Sequence, residues 1–123
     1  MKHWRVLFTV ALFLIGITAG TSATSILPKA LKGDYFIWGK TLIDPPKIEP
    51  KNTHFYLHLE GASAKALWKT MKVEPVYDEC LDDGSTTKII GNMQCTESKD
   101  KTCYDCYFSI DVEKQKIERG VSC

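Results

Sequence analysis

The chain has 123 residues, of which 44% are hydrophobic and 25% are charged, with 16 lysines and arginines against 15 aspartates and glutamates. This length favours a single domain with a modest hydrophobic core over two domains. Proteins that bind nucleic acids normally carry a strong excess of basic residues, and this nearly balanced chain does not. We therefore predict no nucleic-acid partner.

The first 23 residues have the three parts of a secretory signal peptide. Lys2 and Arg5 precede an apolar run over residues 6–17, and small residues follow as far as Ala23. The run is well short of the roughly 20 residues that span a bilayer. We therefore predict cleavage after Ala23, with Ala19 as the alternative. The mature protein is expected to be periplasmic or extracellular, without stable membrane insertion after signal cleavage.

The mature chain begins with a proline-rich arm, which we place at residues 24–53. The arm holds four of the five prolines of the chain, and these exclude long regular elements. A short aromatic strand is predicted within it at residues 34–38. We expect its side chains to pack on the core, because exposing them is unfavourable. Residues 54–123 follow as a single α+β domain.

A strand and a helix open this predicted domain. Residues 54–59 alternate with period two, which sends three apolar side chains to one face and His54, Tyr56 and His58 to the other. Apolar residues then recur at helical spacing, with lysines on the opposite face of the helix. This apolar stripe consists of Ala64, Leu67, Trp68 and Met71.

The remainder of the chain reads as strands and turns. We predict strands at 76–80, 88–96, 104–112 and 116–123, with Gly91 as a bulge in the second of them. The predicted fold is therefore α+β, with one amphipathic helix packed on an antiparallel sheet of about five strands, and it is stabilised by disulfides.

The last two predicted strands form a hairpin whose register bears on the cysteines. A two-residue turn at Lys114 and Gln115 pairs residues whose numbers sum to 229, which places Cys106 opposite Cys123. We therefore predict a bond between these two cysteines.

All five cysteines lie in the C-terminal half, and export makes disulfides their expected state. Pairing Cys106 with Cys123 leaves Cys80 to bond Cys95, although a bond between Cys95 and Cys106 competes with this scheme. Strand parity places Cys103 on the outward face, so we predict a free thiol there that forms, in part, a disulfide-linked dimer or a mixed disulfide. In the alternative, Cys103 bonds within the chain and Cys80 is the odd thiol.

Three groups of residues invite a chemical role. Cys103 and Cys106 have the C-x-x-C spacing of a redox motif, but a strand pattern follows them and not a helix. His54 and His58 share a strand face about 13 Å apart, too far for one metal ion, and we expect both to be exposed. An acidic loop lacks the ligand spacing of a calcium site. We predict instead that it binds a basic surface of a partner protein. The carboxylates of this loop belong to Asp78, Glu79, Asp82 and Asp83.

The sequence contains no nucleophile motif and no phosphate-binding glycine loop. We therefore predict a non-catalytic domain that binds another protein, as an inhibitor, immunity or accessory protein does, with no metal and no cofactor. A thiol-disulfide oxidoreductase using Cys103 and Cys106 is the alternative from the class of enzymes. A structural component of the cell envelope is a third.

Overall fold

The computed structural model describes residues 26–121 of the chain, so the predicted signal peptide at 1–23 and the last cysteine, Cys123, lie outside the described residues. Within the described part, seven strands and one helix are present. None of the described helical residues forms a helix long and apolar enough to cross a membrane. In chain order the elements are β1 (Gly33–Trp38), β2 (His54–Glu60), α1 (Gly61–Thr70), β3 (Val76–Tyr77), β4 (Thr86–Ile90), β5 (Met93–Glu97), β6 (Tyr104–Asp111) and β7 (Lys116–Glu118).

The α+β class, with one helix on an antiparallel sheet, is confirmed, but the sheet has seven strands and not about five. The strand order is β1-β2-β6-β5-β4-β3, and β7 also pairs with β6. One edge of β6 pairs with β2. The other edge is shared by two strands, because β5 pairs with residues 104–107 and β7 pairs with residues 109–111. The predicted arm contributes β1, which is an outer strand of the sheet.

The hydrophobic core lies between α1 and one face of the sheet. Ala64, Trp68 and Met71 from the predicted apolar stripe are buried, and the ring of Trp68 meets that of Tyr104 edge-on at 6.0 Å. The helix makes most of its contacts with β6, and others with β2 and β5. A ten-residue helix is marginal in isolation, so this packing is what stabilises it.

The segment predicted as one strand at 88–96 is a hairpin of two strands, so the prediction of a bulge at Gly91 is wrong. Ile90 faces Met93 across a two-residue turn made by Gly91 and Asn92. Gly91 has a φ of 58°, which such turns require and which glycine adopts without steric cost. This hairpin accounts for one of the additional strands.

The C-terminal hairpin exists, but its predicted register is wrong by two. Asp111 faces Lys116 and Ile110 faces Ile117, so the paired numbers sum to 227. The turn spans four residues, 112–115, and Gln115 has a φ of 53° within it. A shift of two preserves which face each residue occupies, so the apolar face of β6 remains as predicted.

The disulfide between Cys95 and Cys106 replaces the predicted bond between Cys106 and Cys123. Cys95 and Cys106 are direct neighbours in the register of β5 with β6, and both are fully buried beneath the helix. This is the competing bond that the sequence left open. Because Cys95 is bonded to Cys106, the predicted bond between Cys80 and Cys95 is also wrong, although Cys80 is disulfide-bonded. Cys103 is an exposed free cysteine just before β6.

Candidate functional site

The sheet face opposite the helix carries a row of polar and aromatic side chains that are buried. His54 is only 3% exposed, and Tyr56, Ser109 and Asp111 are buried with it. We expected the two histidines of this face to be exposed, and for His54 this is wrong. The strand parity is as predicted, but the part of the face around His54 is covered, whereas His58 is partly exposed.

Two segments cover this polar face. The hydroxyl of Tyr56 donates to the carbonyl of Gly39 at 2.6 Å, which fixes the start of the connection from β1 to β2. The hydroxyl of Ser109 donates to the carbonyl of Arg119 at 2.8 Å, which holds the segment after β7 against β6. A Cβ atom at Gly120 would lie 2.4 Å from the Phe108 nitrogen, so that segment approaches β6 more closely than a side chain permits.

His58 links three strands through its imidazole. Its Nε2 is 2.7 Å from Asp105 Oδ1, its Nδ1 is 3.5 Å from Asp34 Oδ2, and the Tyr107 ring stacks on it at 4.5 Å. Partial burial by itself lowers the pKa of His58, but the hydrogen bonds to Asp105 and Asp34 and the charges of both outweigh it and raise the pKa. A shallow groove of about 380 Å³ adjoins this histidine.

His54 occupies a second cluster at the opposite end of β2. Its Nε2 is 3.0 Å from Glu118 Oε2 and 3.8 Å from Asp111 Oδ2, while its Nδ1 is 2.8 Å from Thr53 Oγ1. A backbone hydrogen bond from Lys114, helped by the charge of His54, lowers the pKa of Asp111. Each histidine therefore has its own pair of carboxylates, which strands remote in sequence supply.

The acidic loop uses most of its carboxylates internally. Asp78 is buried and accepts a hydrogen bond from the Thr87 hydroxyl at 2.6 Å. Asp82 accepts a hydrogen bond from the Tyr77 hydroxyl, and the Asp83 carboxylate accepts one from a backbone N–H two residues later. Three of the four carboxylates predicted to meet a partner thus stabilise the loop, while Glu79 is exposed.

The C-x-x-C pair is separated in the fold. Cys103 precedes β6 and is exposed, whereas Cys106 lies within β6, has no exposed surface and is bonded to Cys95. The two sulfur atoms of the motif are therefore not paired with each other.

The outer strand β1 presents an apolar edge. Tyr35 is 64% exposed and Ile37 is 47% exposed, although we expected this aromatic segment to pack on the core. Two rings of β1 stack on rings of β2, Tyr35 on Phe55 at 4.8 Å and Phe36 on Tyr56 at 4.7 Å. These stacked pairs hold the strand in an extended form while leaving its outer side open.

One backbone hydrogen bond defines which residues of β1 face outward. The Lys32 carbonyl accepts from the Glu60 N–H at 3.1 Å, so the even-numbered positions of β1 pair with β2. Backbone groups alternate sides along a strand, and those of Tyr35 and Ile37 therefore point away from the sheet. Within residues 26–121, no strand pairs with this outer edge.

Comparison of the chain with protein-family models, with curated protein sequences and with solved structures found no match in any of the three.

Proposed function

We propose that this is an exported, non-catalytic domain that binds another protein by accepting an extended segment of it along the outer edge of β1. The carrying observation is the open edge, where Tyr35 and Ile37 combine exposed apolar side chains with outward backbone groups. An unprotected edge of this kind is a template for strand addition, in which main-chain hydrogen bonds supply affinity and alternate side chains supply specificity.

The charge distribution indicates what the added segment contains. Residues 26–53 carry five lysines against three acidic residues, whereas residues 54–121 carry nine basic residues against twelve acidic ones. Lys32 and Lys40 flank β1 directly. Opposite charges across an interface favour association, so the proposed segment is apolar at its centre and acidic at its ends. This moves the proposed binding surface from the acidic loop to β1.

The arrangement of the histidines and of Cys106 supports a role without catalysis. Both ring nitrogens of His58 face carboxylates, and His54 is covered by the segments that bury its face. A general base needs a free nitrogen within reach of a substrate proton, whereas both nitrogens of each imidazole already lie beside a carboxylate or hydroxyl group of the chain. Cys106 is buried in a disulfide, which also supports an oxidising compartment outside the cytoplasm, the periplasm or the medium.

The test compares two substitutions at Ile37 that differ in one backbone group. Ile37→Pro removes an N–H that points away from the sheet, so it leaves the pairing of β1 with β2 intact while blocking a new strand. Ile37→Thr removes a similar amount of apolar surface but keeps the N–H, and it serves as the matched control.

Mature wild-type and variant proteins are used to capture partners from the native extracytoplasmic fraction, and the affinity of each purified partner is then measured. We expect a partner whose affinity falls by about tenfold or more with Ile37→Pro and far less with Ile37→Thr. In the complex, the amides of Tyr35 and Ile37 should exchange more slowly with solvent. If the wild type and the proline variant retain the same proteins with the same affinity, or if neither retains any, strand addition is refuted.

A further inference from the structure

The cluster around His54 has the donor atoms of a metal site. Nε2 of His54, one carboxylate oxygen of Asp111 and one of Glu118 all lie within 4.8 Å of one another. The two distances from Nε2, 3.0 and 3.8 Å, bracket the separation of about 3.3 Å that two ligands have around a tetrahedral zinc ion. The two carboxylate oxygens are at most 4.8 Å apart, so the side chains would have to close by no more than about 1.5 Å to surround an ion.

The three ligands come from three strands that the sheet holds in place. His54 begins β2 and faces Asp111 at the end of β6, while Glu118 ends β7 and belongs to the same sheet face. The side chains of Asp111 and Glu118 are 9% and 26% exposed, so the cluster is largely removed from water but open on the side of Glu118.

The charge of the cluster is unbalanced without a cation. Within residues 26–121, no lysine or arginine side-chain nitrogen lies within 4.0 Å of either carboxylate, and the sole charged side chain in that range is His54. Asp111 Oδ1 also accepts the backbone N–H of Lys114 at 3.0 Å, which leaves Oδ2 on the side of His54. Lys116 faces Asp111 across the hairpin and Lys114 is close in sequence, but both side chains are exposed. Two carboxylates against one imidazole leave a net negative charge in a half-buried place, whichever protonation state His54 has.

Thr53 orients the imidazole as an outer partner of a metal ligand does. Its Oγ1 lies 2.8 Å from Nδ1 of His54. A metal ion on Nε2 requires the tautomer in which Nδ1–H donates to this hydroxyl, and without the ion Nε2–H can instead donate to Glu118 Oε2 at 3.0 Å.

From these observations we propose that His54, Asp111 and Glu118 form a binding site for one divalent metal ion of the zinc class. One nitrogen and two oxygens suit a borderline ion such as Zn²⁺ better than Ca²⁺, which takes six to eight oxygens, and the side open to solvent leaves a position for water. The bound ion would neutralise the two carboxylates and tie β7 to β2 and β6. This proposal is independent of partner binding at β1.

The test uses the mature protein with Cys103→Ser, which removes the exposed free thiol as a competing ligand. After treatment with a chelator, Zn²⁺ is titrated by calorimetry into this protein and into three further variants. Glu118→Gln and His54→Gln alter the proposed site, while Asp105→Asn alters the cluster around His58 and is the matched control. Circular dichroism of each variant confirms that the fold is retained.

We expect one Zn²⁺ per chain, with affinity reduced by about tenfold or more in Glu118→Gln and His54→Gln and unchanged in Asp105→Asn. In the nuclear magnetic resonance spectrum of the Cys103→Ser protein, in which the proposed site is unaltered, Zn²⁺ should shift the ring signals of His54 and leave those of His58 unchanged. Absence of saturable binding up to about 1 mM Zn²⁺ overturns the proposal. Binding that survives Glu118→Gln, or that Asp105→Asn weakens as much, overturns it as well.

Discussion

A single imidazole, that of His58, joins β1, β2 and β6 through its contacts with Asp34 and Asp105. These contacts raise the pKa of His58 above its value of 6.5 in the unfolded chain. A group whose pKa is higher when folded contributes stability below the unfolded pKa and loses that contribution as the pH rises through the folded pKa. The pairing of His58 with its carboxylates should therefore stabilise the fold most in mildly acidic conditions.

Replacing Asp105 with Asn should lower the free energy of unfolding by roughly 0.5–1 kcal/mol below pH 6.5 and by less at alkaline pH. The amide keeps the shape of the side chain but removes the charge that favours the protonated imidazole. Urea unfolding of the wild type and the variant across this pH range measures the difference. Glu113→Gln, in the exposed turn before β7, is the control, and a deficit that stays constant with pH would contradict the assignment.

The sequence could place His54 and His58 on one face but could not show what surrounds them. Period-two alternation over residues 54–59 assigns faces reliably, because side chains alternate in any strand. The carboxylates that meet His54 come from β6 and β7, and the segments that cover it have no periodic pattern. Spacing along β2 shows only that the two histidines are too far apart to share one ion, and it contains no information about the separate partners of each.

The helix α1 ends where a lysine from the sheet reaches its last carbonyl groups. Nζ of Lys88 donates to the carbonyls of Trp68 and Met71 at 3.0 and 3.1 Å and lies 4.6 Å from the centre of the Trp68 ring. A positive charge at this end of a helix also interacts favourably with the helix dipole. Lys88 thus couples β4 to a helix that packs mainly on β6.

Replacing Lys88 with Met should therefore reduce the free energy of unfolding by roughly 1–2 kcal/mol, because it keeps the aliphatic stem and removes both hydrogen bonds. Chemical denaturation with tryptophan fluorescence reports on the change directly, since Trp68 lies beside the lysine. Lys47→Met removes an exposed lysine as the control. Equal stability of the two variants would show that the Lys88 contacts contribute nothing.

The two hairpins differ in how far their turns can be predicted. Gly91 followed by Asn92 is a known signal for a two-residue turn, so this hairpin can be predicted from the local sequence, and the prediction of a bulge there is wrong. The turn at residues 112–115 carries no such signal, because the positive φ falls on Gln115, a residue type that does not favour it. In that hairpin the register depends on pairing with the rest of the sheet, which local sequence does not contain.

For the whole molecule, the disulfide between Cys95 and Cys106 is the covalent link at the centre of the core. Peptide mapping under non-reducing conditions should recover this bond, and alkylation of the native protein should label Cys103 and spare both bonded residues. A variant with Cys95→Ala and Cys106→Ala should lose about 3 kcal/mol of stability, as expected for closing a loop of this length.

The same samples test the dimer predicted through Cys103. A non-reducing gel should show a dimer band that disappears in Cys103→Ser, because an exposed thiol in an oxidising compartment tends to find another thiol. Recovery of a peptide that joins Cys103 to another cysteine of the same chain would contradict both the structure and the prediction.

The position of β6 has a consequence for how the molecule acquires its fold. β6 pairs with β2, β5 and β7, and it begins at Tyr104, long after β2 ends at Glu60. The hairpin of β4 and β5 forms from residues that are neighbours in sequence. The complete sheet, in contrast, cannot form until β6 is available to join β2 to β5. Contacts between residues this distant in sequence slow folding, so the sheet should close only after most of the chain has emerged from synthesis or translocation.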